Sequence, residues 1–121
     1  MARTLLFVYG TLKSGQKNHH FLRGQIFVGP GVTLARYHLW QPSWHPALNE
    51  VSGQGAAIQG EVWSVDAAAL AAMDEFEGVP DLFVRKEVLI QHHFGDPVYA
   101  YFYEGVVPAD SRSEAVWPFP S

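Results

Sequence analysis

The sequence predicts an α+β domain: a strand-rich chain with one clear helix, its sheet curled into a small barrel. Three observations point there. Five short runs rich in β-branched and aromatic residues recur between turn-forming residues. A single alanine-rich stretch is bracketed by a helix-capping Asp66 and a stop at Gly78 and Pro80. At 121 residues, 48% hydrophobic and 17% charged, the chain suits one domain with a substantial core and is too short for two. The barrel follows from strand count, because closure hides the unpaired edges of an open sheet.

The first strand begins at Leu5 and runs to Tyr9, where Gly10 breaks it; a polar, glycine-bracketed loop follows through Leu12-Lys13-Ser14-Gly15-Gln16. Asn18 to Arg23 is predicted as a short helix with Asn18 as its cap. Gly29-Pro30-Gly31 reads as a turn, and Val32 to Trp40 as the next strand. Gln41 to Gly55, with Pro42, Pro46, Gly53 and Gly55, reads as a long loop of the kind that is often functional in small domains. Ile58 to Val65 forms a further strand. Asp66 then caps a helix running through the alanines and Leu70 to about Glu77. Val84 to His92 alternates as a strand, and Val98 to Tyr103 is the last, placing Tyr99, Tyr101 and Tyr103 on one face. The tail from about Val106, carrying Pro108, Pro118 and Pro120, reads as irregular. Trp117 and Phe119 there suit either a cover for the open barrel end or a dimer contact.

Charge and composition exclude several functions. With a formal net charge of −4 and no basic run, the chain lacks the clustered Lys and Arg that nucleic acid requires. It has no cysteine, so disulfides, thiol nucleophiles and thiolate metal sites are all excluded. The run from Leu5 to Tyr9 is far too short to span a membrane and no signal pattern precedes it, which makes a cytoplasmic location the default expectation.

Two segments carry chemistry. A strand ending in a glycine-bearing turn, as at Tyr9-Gly10-Thr11-Leu12, exposes several backbone N–H groups together and suits a carboxylate or a developing oxyanion. The bland alternative is a plain strand end. The second segment, Met73-Asp74-Glu75-Phe76-Glu77-Gly78, puts three acids at the C-terminal end of the helix, where the macrodipole disfavours them. Glu77 lies about 20° from the direction of Leu70 and so falls on the apolar face with Met73, whereas Glu75 points away. Desolvation, neighbouring Asp74 and the helix end all act to raise the pKa of Glu77 towards neutrality, as general acid–base work requires. Pairing of Glu77 with Arg85 or Lys86 is the structural alternative.

With both segments in view, the chain resembles the gamma-glutamylcyclotransferase-like family, nearest its gamma-glutamylamine cyclotransferase branch and bacterial relatives. The resemblance rests on Val8-Tyr9-Gly10-Thr11-Leu12-Lys13, Gly15-Gln16, Asn18-His19, Gly60-Glu61-Val62-Trp63, Asp74-Glu75-Phe76-Glu77 and Leu82-Phe83-Val84-Arg85, and extends to about Tyr103. It implies a single domain built as a small mixed β-barrel flanked by short helices, with a pocket at one end. It further implies Glu77 as catalytic acid/base, Tyr9, Gly10, Thr11 and Leu12 as the substrate-binding loop, and Tyr103 as a pocket tyrosine. Some relatives carry tyrosine where this chain has Phe83, which removes a hydroxyl from the site. The implied reaction cyclises a small-molecule gamma-glutamyl substrate to 5-oxoproline with release of its amine, needs no metal or organic cofactor, and suits a monomer or homodimer.

Other constellations fall short. Gly10 to Gly15 has the glycine spacing of a phosphate loop, but Gln16-Lys17 stands where Lys-Ser or Lys-Thr is needed. The pairs His19-His20 and His92-His93 are adjacent in sequence and point apart, so they read as surface or capping residues, with His19 helping to hold the loop. There is no Gly-x-Ser-x-Gly turn for a serine hydrolase. Tyr99 and Tyr101 read as packing residues. A non-catalytic protein binding a small metabolite in the same pocket is the alternative from another class. A lyase acting on a larger gamma-glutamylated biosynthetic intermediate is a third.

Overall fold

A computed structural model describes residues 2–43, 45–92 and 94–119. Of the positions singled out above, His93 and Pro120 lie outside the described residues. The strands are β1 (Thr4–Val8), β2 (Ile26–Val32), β3 (Tyr37–Trp40), β4 (Ala47–Glu50), β5 (Gln59–Val65), β6 (Phe83–Val88) and β7 (Val98–Tyr103). The helix α1 spans Ala67–Glu77, and a 3-10 turn spans His19–Leu22.

Five strands form one sheet in the order β2-β5-β1-β7-β6, antiparallel except for the parallel β1–β7 pair; β3 and β4 form a separate antiparallel ribbon. Alternation sorts the central strands onto two buried faces. Phe7, Val62, Val98, Ala100 and Phe102 join one core cluster, completed by Tyr37, Leu39 and Leu48 of the ribbon. Leu6, Val8, Trp63, Val65 and Tyr101 join the other, completed by Met73 of α1, with Tyr99 and Tyr103 packed against it. The three tyrosines of β7 thus share a face, as the alternation predicts. Trp117 and Phe119 pack against the first cluster.

The helix forms where its caps predict. Asp66 Oδ1 accepts from the Ala69 N–H at 2.8 Å, and Gly78 ends the helix in the left-handed conformation (φ 70°) that glycine adopts without penalty.

Five expectations need correction. The sheet is not closed into a true barrel: among the described residues, its outer strands are joined by one isolated bridge between Thr33 and Ile90, just beyond their ends. Gly29-Pro30-Gly31 is not a turn but part of β2. Proline is tolerated there because β2 is an edge strand, and a Cβ on Gly31 would lie 3.0 Å from Val62 Cγ2. The stretch from 41 to 55 contains β4, whose Asn49 accepts from Trp40 Nε1 at 2.7 Å and donates to the Tyr103 carbonyl at 3.0 Å. Asn18 precedes only a 3-10 turn, and its side chain makes no capping bond. The strands predicted over 32–40 and 84–92 are shorter, at Tyr37–Trp40 and Phe83–Val88.

Met73 is the fully buried residue through which α1 enters the second cluster. Met73→Ala is expected to cost about 2–5 kcal/mol, read as a lowered urea midpoint with unchanged slope.

Candidate active site

The C-terminal end of β1 and the last turn of α1 meet at a cavity of about 80 Å³. Phe7, Val8, Tyr9, Gly10, Thr11 and Leu12 line it from the first side, and Phe76 and Glu77 from the second. His45, Pro46, Leu82, Phe83 and Tyr101 complete the wall.

The loop after β1 is shaped by close approach. A Cβ on Gly10 would stand 2.2 Å from Pro46 Cγ, so only glycine lets the two segments touch. Within the loop, the Lys13 N–H bonds the Gly10 carbonyl and the Asn18 N–H bonds the Thr11 carbonyl, each at 3.0 Å. His19 Nδ1 lies 2.9 Å from the Leu12 carbonyl; a carbonyl only accepts, so this nitrogen carries the proton. Glu61 Oε1 accepts from the Ser14 N–H (3.0 Å), the Ser14 hydroxyl (3.1 Å) and Trp63 Nε1 (3.1 Å), and the His19 ring meets Trp63 edge-on at 5.2 Å. Lys13 Nζ donates to the Trp117 carbonyl of the tail, and burial lowers its pKa. Glu61, Trp63, His19 and Trp117 hold the loop without lining the cavity themselves. Among the described residues, no hydrogen bond uses the amide N–H of Gly10, Thr11 or Leu12.

The two acids at the end of α1 have opposite surroundings. Arg85 grips Asp74 through two bonds of 2.9 Å, and the Tyr101 hydroxyl adds a third at 2.7 Å. Burial opposes the charge on Asp74, but these donors outweigh it and hold the carboxyl below its ordinary range. Glu77, one turn on, has no hydrogen bond or ion pair among the described residues, and burial pushes its pKa up to about 7. The structural alternative for Glu77 is removed here. Glu77 does not pair with Arg85, which is taken by Asp74, or with Lys86, which sits 2.6 Å from Glu50 Oε1. Burial raises the Glu77 pKa as expected, while Asp74, expected to add to the shift, is itself bonded to Arg85 and Tyr101. Glu75 is exposed.

Both wall tyrosines are committed. Tyr9 donates to the Tyr101 carbonyl at 2.7 Å, and its pKa is driven well above 10 by burial and by the charge of Glu77. Burial, then the bond to Asp74, raises Tyr101 likewise.

The structure therefore brings Tyr9, Gly10, Thr11, Leu12 and Glu77 to one cavity. Tyr103 is not part of that wall: it packs against Phe83 at 5.6 Å and Trp40 at 5.8 Å, one ring removed. Tyr101, one alternation earlier on the same face of β7, reaches the wall instead. Sequence reasoning missed Tyr101, His45 and Pro46 as site residues; the last two lie in an irregular segment with no periodic signal. Among the described residues, no group of three or more His, Asp or Glu side chains is placed to hold a metal, and no helix is long and apolar enough to cross a membrane.

The sequence model of the gamma-glutamyl cyclotransferase, AIG2-like family matches residues 6–118. The chain belongs to this family. It is 40% identical over 94 residues to the Homo sapiens gamma-glutamylaminecyclotransferase, covering 72% of this chain and 61% of that protein. To the Rattus norvegicus gamma-glutamylaminecyclotransferase it is 36% identical over 93 residues, covering 71% of this chain and 62% of the relative. The match thus spans about three fifths of the length of these relatives. The crystal structure of an AIG2-like protein from Mus musculus superposes with a TM-score of 0.83 at 27% identity, covering 97% of this chain and 89% of that one. In this AIG2-like chain, both cavity-forming segments fall inside the matched region.

Glu61 anchors the loop from outside. Glu61→Ala is expected to accelerate hydrogen exchange at the Ser14 amide by at least tenfold, whereas Glu61→Gln, which keeps an acceptor oxygen, moves it less.

Proposed function

We propose that this chain cyclises a gamma-glutamyl amine or amide to 5-oxoproline and releases the free amine, with Glu77 as general acid/base. The observation that carries the reading is the pairing, in one cavity, of an unpartnered acid near pKa 7 with backbone amides that the fold leaves unused. The family membership and the names of the human and rat relatives support the same chemistry.

In this reading the substrate's α-nitrogen attacks its own side-chain carbonyl. The N–C bond of the lactam forms, the bond from that carbonyl to the leaving nitrogen breaks, and one proton passes from the first nitrogen to the second. Glu77 accepts that proton and returns it. Attack is intramolecular, so a cavity that holds the substrate curled supplies much of the rate through proximity. The N–H groups of Gly10, Thr11 and Leu12 receive the substrate carboxylate or the oxyanion, with Tyr9 closing the wall behind them. Tyr103, outside the wall, packs behind Phe83. The reaction draws on no cofactor.

Glu77→Gln should fold and lose at least about 10²-fold in turnover, assayed as 5-oxoproline from gamma-glutamyl-ε-lysine, gamma-glutamyl-alanine and glutathione. Retained turnover removes Glu77 from the mechanism, and binding without product marks a metabolite-binding protein instead. Because the carboxylate is the proton-accepting form, kcat/KM should rise with pH through about 7 in the parent chain.

Stability should move the opposite way. A folded pKa of about 7 against an ordinary 4.5 gives a contribution fully present below about pH 4.5 and lost as pH rises through 7. Glu77→Gln should therefore be the more stable protein at pH 8, by on the order of 3 kcal/mol, with the difference vanishing near pH 4. Thermal melts of both proteins across that range check it.

A further inference from the structure

One residue of the irregular tail is bonded to two separate segments that wall the cavity. The course of the tail is fixed first, at Ser113, Glu114 and Ala115. The Ser113 hydroxyl accepts from the Leu39 N–H at 3.3 Å, and the Glu114 N–H donates to the Leu39 carbonyl at 3.1 Å. The Ala115 carbonyl accepts from the Gln59 N–H at 2.7 Å. Trp117 follows two residues on, its ring packed against the first core cluster. Its carbonyl accepts from Lys13 Nζ, and its indole Nε1 donates to Gln41 Oε1 at 3.0 Å. Lys13 belongs to the loop after β1, and its own N–H closes the turn on the Gly10 carbonyl at 3.0 Å. Gln41 opens the return from β3 to β4, which brings His45 and Pro46 to the cavity just before Ala47 pairs with Trp40. Lys13, Gln41 and Trp117 do not line the cavity themselves.

From this arrangement we infer that Trp117 is a positioning residue. By bonding Lys13 and Gln41 at once, it fixes the spacing between the amides of Gly10, Thr11 and Leu12 and the wall made by His45 and Pro46. The inference rests on the cyclotransferase reading above and adds to it a residue that governs how tightly the substrate is held. The two walls also meet directly, where Pro46 closes on Gly10. One such contact is a pivot, about which the two segments can still turn. A second link, through a residue whose backbone is already anchored, removes that freedom, and a site held in its bound shape loses less entropy on binding. Glu77 stands on α1, to which neither bond of Trp117 runs. Affinity should therefore respond to the bracket, and proton transfer should not. A role confined to packing makes a different prediction, since a phenyl ring would still cover the core while losing the indole donor.

The test breaks the indole bond from either side. Gln41→Leu does so at an exposed position, and Trp117→Phe does so with an aromatic ring retained; circular dichroism checks both folds. With whichever of the three substrates named above is cyclised fastest, each variant should raise KM by at least about threefold, the scale of one lost hydrogen bond, and leave kcat within about twofold. The pH dependence of kcat/KM should keep its midpoint near 7. Gln41→Glu, which keeps an accepting oxygen, should restore the parent KM. The double variant should be no worse than either single one, because both remove the same bond. Hydrogen exchange at the Lys13 amide, across Trp117 from the altered side chain, should quicken in Gln41→Leu. An unchanged KM in Gln41→Leu, additive effects in the double variant, or a loss confined to melting temperature overturns the bracket while leaving the cyclotransferase reading intact. Absence of 5-oxoproline from the parent chain with all three substrates overturns that reading and the inference with it.

Discussion

The contact on which the site depends is the one between Asp74 and its two donors, Arg85 and Tyr101. It ties the last turn of α1 to β6 and β7 at once, through three bonds between 2.7 and 2.9 Å. It also settles which of two neighbouring acids is left alone. With Arg85 spent on Asp74, and Lys86 on the opposite face of β6 with Glu50, no Lys or Arg among the described residues pairs with Glu77. An opposite charge at that position would lower its pKa, whereas burial without a partner raises it. The run of acids at this helix end is therefore a division of labour. One acid fastens the helix and the other is held in the cavity without a partner.

What the sequence discloses and what it hides follow from the range of the forces involved. The helix is legible because its caps and its 3.6-residue period are local, and the same period puts Glu77 beside Met73. The tyrosine face of β7 is legible for the same reason with a period of two. β4 is not, because four residues between prolines and glycines carry no period, and Asn49 is spent on partners at Trp40 and Tyr103 that no local rule anticipates. β2 is misread because the turn preference of Gly29-Pro30-Gly31 loses to pairing with β5 and to the tight approach of Gly31 to Val62 and Phe7. The open sheet is likewise a property of the whole, since strand count alone cannot say whether the outer strands meet over a ladder or at one bridge. In the site, the loop and Glu77 were legible; Tyr101 in place of Tyr103, and Pro46 against Gly10, required the fold.

The loop after β1 shows how distant parts of the chain serve one short motif. Glu61 and Trp63 hold it from β5, His19 from the 3-10 turn, and the tail through the Trp117 carbonyl. The tail is itself fastened to the ribbon and the sheet, since the Glu114 N–H bonds the Leu39 carbonyl at 3.1 Å and the Gln59 N–H bonds the Ala115 carbonyl at 2.7 Å. Although irregular, it is thus part of the loop's support. Amides held rigid in advance need little reorganisation when charge arrives, which is the physical basis of oxyanion stabilisation.

The polar groups of the wall narrow the chemistry further. The hydroxyls of Tyr9 and Tyr101 are each committed to an acceptor, and burial drives both pKa values away from neutrality, so neither can serve as a base near pH 7. Glu77 moves the other way, into the range where a group both takes and returns a proton. That tuning has a structural cost. The burial that makes the acid useful also makes its ionised form unfavourable in the folded chain, so near neutrality the site works against the fold that holds it. Two buried core clusters, with Met73 of α1 seated in one of them, are what allow this fold to carry such a group.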